Sequence, residues 1–222
     1  MKKLTHPPNL TEMTYRSIKQ SILTGVVNRS FRLTEEYLAT QLGISKSPVR
    51  EALNRLEAEG LVRIEPRRGA SVREFSAKEI RDLYDLRVVL EVHSIQMAAL
   101  TPELLAELAA SIARTTQILA EGDRVKHIEE DLRFHRMIAE ATDNEELCRL
   151  FENVQQKTLL CRYASYELSA TTSPLAHKRI YRALKQDDRP GAQEAMKEHI
   201  EYVRDRLLKN READGALQVA GD

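Results

Sequence analysis

Hydrophobic residues at helical spacing predict three short helices in the first 60 residues of the chain. The first spans about residues 11–24, where every third or fourth position is apolar. The second begins at Thr34, a residue type that caps helix N-termini, and ends at Gly43, which adopts a left-handed backbone easily. The third covers residues 46–59, and its apolar stripe consists of Val49, Leu53 and Leu56.

The pattern changes to that of a β-hairpin after the third helix. Residues 61–64 and 71–73 are of strand-forming type, and the segment between them contains a proline and a glycine. Arg67 and Arg68 lie at the predicted tip, next to Gly69. Two helices, a short turn, a third helix and a hairpin together predict a winged helix-turn-helix.

From residue 76 onward the pattern is helical throughout. Ser76 and Glu79 have the spacing of a capping box, which predicts a helix that extends to about Leu100. We predict that its buried stripe consists of Ile80, Leu83, Leu86 and Leu90. Further helices are predicted over about residues 102–121, 125–141, 145–168, 174–186 and 189–211, with a polar loop over 169–173.

We therefore predict a mainly α protein of two domains. Residues 1–75 form a winged helix-turn-helix of three helices and a hairpin, and residues 76–222 form an all-α antiparallel helical bundle. Charge follows the same division. Residues 1–75 contain 13 basic and 8 acidic residues, a net charge of +5, whereas the remainder has 21 basic and 26 acidic residues, a net charge of −5. A basic head of this kind favours a DNA partner.

Composition indicates a cytoplasmic protein without a membrane partner. No apolar run approaches the roughly 20 residues that span a bilayer, and the first residues lack the apolar core of a signal peptide. Cys148 and Cys161 are too few for a disulfide framework, so we expect free thiols in a reducing compartment.

Polar residues on the third helix and the hairpin tip form a candidate DNA-reading surface. A helix-turn-helix inserts the first turns of its second helix into the major groove, where Lys and Arg pair with guanine. Basic residues on a wing are suited to phosphates or the minor groove, and a glycine there permits close approach. The candidate DNA-binding residues are Lys46, Ser47, Arg50, Asn54, Arg67, Arg68 and Gly69.

Three histidines and an aspartate could hold a divalent ion. Asp131 and His135 are four residues apart on one predicted helix, and His177 and His199 lie on two others. One carboxylate and three imidazoles suit Zn²⁺, Ni²⁺ or Mn²⁺. From spacing alone, ordinary surface or core histidines remain the simpler interpretation. Of the other histidines, we expect His6 in a tail, His93 packed on its helix and His127 exposed.

The first third of the chain resembles the GntR superfamily of regulators. The resemblance rests on residues 33–39, on the run from Leu42 through SPVREAL to Leu53, and on residues 56–62. It implies that Lys46, Arg50 and Gly69 contact DNA. The chain departs from the family where Glu36 replaces an arginine that contacts DNA in some members. Lys46 also replaces a frequent arginine, which should weaken bidentate reading of guanine.

The remainder resembles the FCD effector domain of the FadR subfamily. The matching segments are residues 82–91, 131–141 and 177–184. In metal-binding members an aspartate and three histidines hold the ion inside the helical bundle, which implies that role for Asp131, His135, His177 and His199. The resemblance also implies a homodimer that binds a pseudo-palindromic DNA operator.

These features together predict a transcription regulator, and a repressor in particular, rather than an enzyme. A small organic acid bound near the metal would control its affinity for the operator, with Arg87 pairing with the acid's carboxylate. An equally supported alternative is that Arg87 only forms a structural ion pair with Glu91, one turn along the helix. Two alternatives stay open: a regulator with a purely structural metal or none, and a metal-dependent hydrolase. The sequence contains no HExxH motif, nucleophile elbow or phosphate loop that would favour the hydrolase.

Overall fold

The computed structural model describes residues 10–27, 31–162 and 172–219, with side chains for all of these except residue 162 and residues 211–219. The chain forms two compact units, Met1–Glu74 and Phe75–Asp222. The predicted mainly α fold class is confirmed. Within the described ranges the only sheet is a two-stranded hairpin, and all other elements are helices. Within these ranges no helix is long and apolar enough to cross a bilayer.

The first unit has the predicted order of elements. Three helices, α1 (Leu10–Leu23), α2 (Glu35–Leu42) and α3 (Lys46–Ala58), precede the strands β1 (Val62–Glu65) and β2 (Gly69–Val72). The strands pair antiparallel with Val62 opposite Val72. Local chemistry sets the ends of α2: the Thr34 side chain accepts a hydrogen bond from Tyr37 N, and Gly43 adopts the left-handed conformation.

Gly69 meets a strict steric requirement of the wing. Its φ is +87°, and a Cβ atom added there would lie 2.9 Å from the carbonyl oxygen of Leu33. This close approach arises because Leu33 bridges to Ala70 alongside the hairpin. The fold of the head therefore demands glycine at this position, whatever the residue does toward DNA.

The second unit contains six helices in the described ranges. They are α4 (Ala77–Met97), α5 (Pro102–Glu121), α6 (Arg124–Glu140), α7 (Glu145–Arg162), α8 (Ser173–Lys185) and α9 (Arg189–Val219). The predicted capping box of Ser76 and Glu79 starts α4. Most observed ends lie within three residues of prediction, although α9 extends beyond residue 211, and Ser173 belongs to α8 rather than to the predicted loop. The predictions for residues 163–171 and His6 lie outside the described residues.

Helix α4 packs chiefly against α9 and α7, and α8 packs between α9 and α5. This arrangement brings the interior sides of α4, α6, α8 and α9 together, with Phe134, Ile180 and Met196 fully buried among them. The start of α9 is also tied to the end of α4, because Arg189 donates to the carbonyl oxygen of Ile95 at 2.5 Å.

The predicted buried stripe of α4 is partly wrong. Ile80 is buried, but Leu83 and Leu90 are only half-buried and Leu86 is 45% exposed. The interior side of the helix instead carries Tyr84, Arg87, Glu91, Ser94 and Ile95. The helix is therefore turned so that an arginine and a glutamate face inward while apolar residues face outward.

Candidate metal centre and DNA-reading surface

Four side chains predicted as metal ligands lie together inside the second unit. Asp131 and His135 come from α6, His177 from α8 and His199 from α9. One potential ligand atom from each lies within 4.8 Å of the others, and all four residues are buried. A single ion within this group of atoms would be in reach of every one of them.

Helix geometry and aromatic packing orient these side chains. Asp131 and His135 are one turn apart and so project from the same face of α6. The ring of His177 stacks on Phe134 with centroids 3.9 Å apart, and the rings of His135 and His199 stack at 5.3 Å. This packing restricts the rotation of the rings within the cluster.

Neighbouring residues form hydrogen bonds with Asp131 and His135. Ser173, at the start of α8, donates to Oδ1 of Asp131. Glu91 of α4 pairs through Oε2 with Nδ1 of His135, and Nε of Arg87 donates to its other oxygen, Oε1. The remaining ring nitrogen of His135, Nε2, is buried and has no hydrogen-bond partner in the part of the chain that the structure describes.

Electrostatics favour a neutral His199 and an ionised Glu91. Burial lowers the pKa of His199 well below its ordinary value, and the neighbouring His177 and His135 lower it further. Burial would raise the pKa of Glu91, but the charge of Arg87 and the contact with His135 outweigh it and lower this pKa to about 2. Neutral imidazole nitrogens retain the lone pair that a metal ion needs.

Sequence reasoning identified the cluster but missed some of its surroundings. It offered Glu91 as one of two alternative partners for Arg87, and the structure contains that ion pair, but it did not predict the contact between Glu91 and His135. It also placed two histidines wrongly: His127 is fully buried rather than exposed, and His93 is exposed rather than packed. No sequence signal marked Ser173 as a partner of Asp131.

In the first unit, the candidate DNA-reading side chains of α3 are exposed. Lys46, Ser47, Arg50 and Asn54 face solvent, while Val49 and Leu53 are buried. Arg67 and Arg68 are exposed between β1 and β2, and Gly69 is half-buried. One side of α3 therefore packs in the core of the head, and the other side is exposed and can contact a partner.

Acidic side chains at the start of α2 pair with two of these cations. Arg50 donates through Nε and Nη2 to both oxygens of Glu35, at 2.8 and 2.7 Å. Nζ of Lys46 lies 3.6 Å from Glu36, whose side chain is 81% exposed. Hydrogen bonding to Arg50 lowers the pKa of Glu35, which keeps this acid ionised. These ion pairs hold the cations near α2, an arrangement that the sequence did not predict.

A winged helix-turn-helix followed by an all-helical unit with a buried carboxylate and imidazole cluster is the architecture of one class of DNA-binding regulators. Comparison with protein families agrees. The model of the bacterial regulatory proteins of the gntR family matches residues 10–72, and the FCD domain model matches residues 82–202, which include all four clustered residues. The chain belongs to the GntR family of transcription regulators with an FCD domain, and this class consists of regulators, not enzymes.

Individual relatives support this assignment over nearly the whole chain. The HTH-type transcriptional regulator YdhC of Bacillus subtilis (strain 168) is 28% identical, with 89% of each chain covered. The HTH-type transcriptional repressor RspR of Escherichia coli (strain K12) is 24% identical over 94% of this chain and 92% of its own. The solved structure of E. coli McbR/YncC has a TM-score of 0.81 and 25% identity, covering 92% of this chain and 100% of that one.

Proposed function

We propose that this regulator is a repressor whose operator affinity is controlled by a small carboxylate metabolite, bound beside a divalent metal ion in the FCD domain. The observation that carries the proposal is the buried cluster of Asp131, His135, His177 and His199. A repressor role agrees with the name of RspR, one of the similar proteins. We assign DNA binding to residues 1–75 and effector binding with dimerisation to residues 76–222.

The chemistry of the donor set supports a metal ion. Three imidazoles and one carboxylate suit Zn²⁺, Ni²⁺ or Mn²⁺. The unpartnered Nε2 of His135 is costly in a buried position unless it receives a partner, and an ion would supply one. Four protein ligands leave further positions open when the ion is five- or six-coordinate, and a ligand oxygen can occupy them.

Charge balance favours a carboxylate effector. A divalent ion with Asp131 and neutral imidazoles leaves one net positive charge in a buried site, and the adjacent Arg87 and Glu91 cancel each other. A monocarboxylate would neutralise this charge, which buried sites require. Arg87 also offers a donor, because its Nη2 atom is buried and has no hydrogen-bond partner within the described ranges. Arg87 can therefore pair with Glu91 and still bind an effector.

DNA binding requires the exposed cations of α3 to exchange partners. Lys46 and Arg50 would leave Glu36 and Glu35 for guanine edges or phosphates, with Ser47 and Asn54 beside them. In this proposal Arg67 and Arg68 meet the backbone or minor groove from the wing, and Gly69 permits close approach.

A homodimer would place two such heads on half-sites about one helical turn apart. An apolar stripe on α4 supports this part of the proposal. Leu86, Val89 and Met97 project from one side of the helix and are 45, 63 and 58% exposed. A second copy that covers the same stripe would form the symmetric contact typical of homodimers.

In the experiment, the protein is added to labelled DNA from its own locus, and binding is measured by fluorescence anisotropy at several salt concentrations. We expect sequence-selective, salt-sensitive binding that a small carboxylic acid weakens when metal is present, and that loses its response to the acid after chelation. No response to any member of a carboxylic acid panel, in protein shown to hold metal, would contradict the effector proposal.

A purely structural metal is the second candidate, because all four ligands are almost completely enclosed. The two roles differ in what chelation changes. A structural ion contributes to folding, so its removal should lower the melting temperature strongly. A sensing ion should chiefly change the response of DNA binding to the acid. Thermal melting with and without a chelator, run beside the anisotropy titration, separates them.

A further inference from the structure

A continuous chain of buried polar groups links α4 to the candidate metal centre. Nε of Arg87 donates to Oε1 of Glu91, and Oε2 of Glu91 contacts Nδ1 of His135. The exposed fractions of Arg87, Glu91 and His135 are 1, 2 and 1%, so water does not compete with these contacts.

The direction of the contact between Glu91 and His135 determines which ring nitrogen can bind an ion. An ionised carboxylate only accepts hydrogen bonds, so Nδ1 of His135 must carry the proton. The nitrogen left to bind an ion is then Nε2, which is buried and has no hydrogen-bond partner in the described ranges. A carboxylate behind a ligating imidazole is a recurrent arrangement in metal sites, where it fixes the tautomer and the ring orientation.

We propose that Glu91 is a positioning residue for the metal centre: it holds His135 in the Nδ1–H tautomer with Nε2 facing Asp131, His177 and His199, and Arg87 holds Glu91 in place. This inference rests on the metal part of the proposed function. It gives the inward-facing pair of α4 a role in that site. A buried ion pair seldom contributes more stability than apolar residues of the same size, so stability alone does not account for the pair.

Two double variants separate the effect of the hydrogen-bond acceptor at position 91 from the effect of the buried charges. Removing Glu91 alone would strand the charge of Arg87 in the core and endanger folding. Arg87→Met with Glu91→Leu removes both charges and the acceptor, whereas Arg87→Met with Glu91→Gln removes both charges but keeps an acceptor for Nδ1. Glu130→Gln is the matched control, because Glu130 is also an ion-paired acid of this domain but pairs with Arg114 and Arg133.

The first measurement is Zn²⁺ affinity by competition with a chromophoric chelator. We expect the leucine double variant to bind Zn²⁺ about 10- to 100-fold more weakly than the wild type, the glutamine double variant to lie between them, and the Glu130→Gln control to match the wild type. Wild-type affinity in a folded leucine double variant would overturn the proposal.

The second measurement determines the tautomer of His135 in the metal-free wild type from the ¹⁵N NMR chemical shifts of its ring nitrogens. We expect protonated Nδ1 and unprotonated Nε2, and a proton on Nε2 would overturn the proposal even if the double variants fail to fold. The two failures are distinguishable: a wild type that binds no Zn²⁺ contradicts the metal centre itself, whereas the tautomer tests positioning by Glu91 independently.

Discussion

Replacing Arg87 with methionine in the metal-free protein should destabilise it markedly. Arg87 and Glu91 are only 1 and 2% exposed, so the substitution leaves a carboxylate inside the core without its cation. Removing one partner of a buried ion pair typically costs about 3–5 kcal/mol. Because Nδ1 of His135 still contacts Oε2 of Glu91 and satisfies part of its hydrogen-bonding capacity, we expect the lower end, about 3 kcal/mol.

Urea unfolding followed by circular dichroism, with a chelator present, measures this loss. The double variant Arg87→Met with Glu91→Gln should recover most of it, since no buried charge is left unpaired. Arg133→Met is the control: Arg133 also pairs with glutamates, but it is 43% exposed, so its loss should cost less than about 1 kcal/mol. A single Arg87→Met variant as stable as this control, or a double variant no more stable than the single one, would refute the reasoning.

Three further outcomes follow from the head and from α4. Gly69→Ala should destabilise the head by on the order of 2 kcal/mol, seen in thermal melting, because φ is +87° and the new Cβ would meet the carbonyl oxygen of Leu33; an unchanged melting temperature would contradict this. Glu36→Gln should tighten DNA binding several-fold at low salt in anisotropy titrations, since it removes an exposed negative charge beside Lys46; unchanged affinity would exclude Glu36 from the DNA surface. Leu86→Glu should yield monomers in analytical ultracentrifugation, whereas Leu150→Glu, on α7 and 59% exposed against 45% for Leu86, should leave the dimer intact. A dimeric Leu86→Glu protein would contradict an interface on α4.

The order and ends of the helices could be predicted because local chemistry determines them. Thr34 caps α2, Ser76 with Glu79 starts α4, and Pro102 opens α5, each as its residue type requires. The winged head followed from the same local rules, with glycine at four of its left-handed positions and Arg67 at another. Signals of this kind act over a few residues and are therefore visible in the sequence.

The orientation of α4 and the surroundings of the cluster could not be predicted in this way. Periodicity assigns polar residues to solvent and apolar residues to the core, but α4 turns Arg87 and Glu91 inward and Leu86 outward. Whether the histidines of α8 and α9 meet Asp131 and His135 of α6 depends on how helices pack that are separated by more than 40 residues of chain. Spacing alone did not favour that convergence, and resemblance to a family supplied it.

The most direct test of the account is the metal content per chain, by mass spectrometry, of protein purified without chelator or histidine tag. Wild type should hold about one divalent ion per chain, and His135→Ala and His177→Ala should lose it. His93→Ala, a change of an exposed histidine on α4, should retain it. Absence of an ion from the wild type, even after incubation with Zn²⁺, Ni²⁺ or Mn²⁺, or its retention in both ligand variants, would contradict the metal centre.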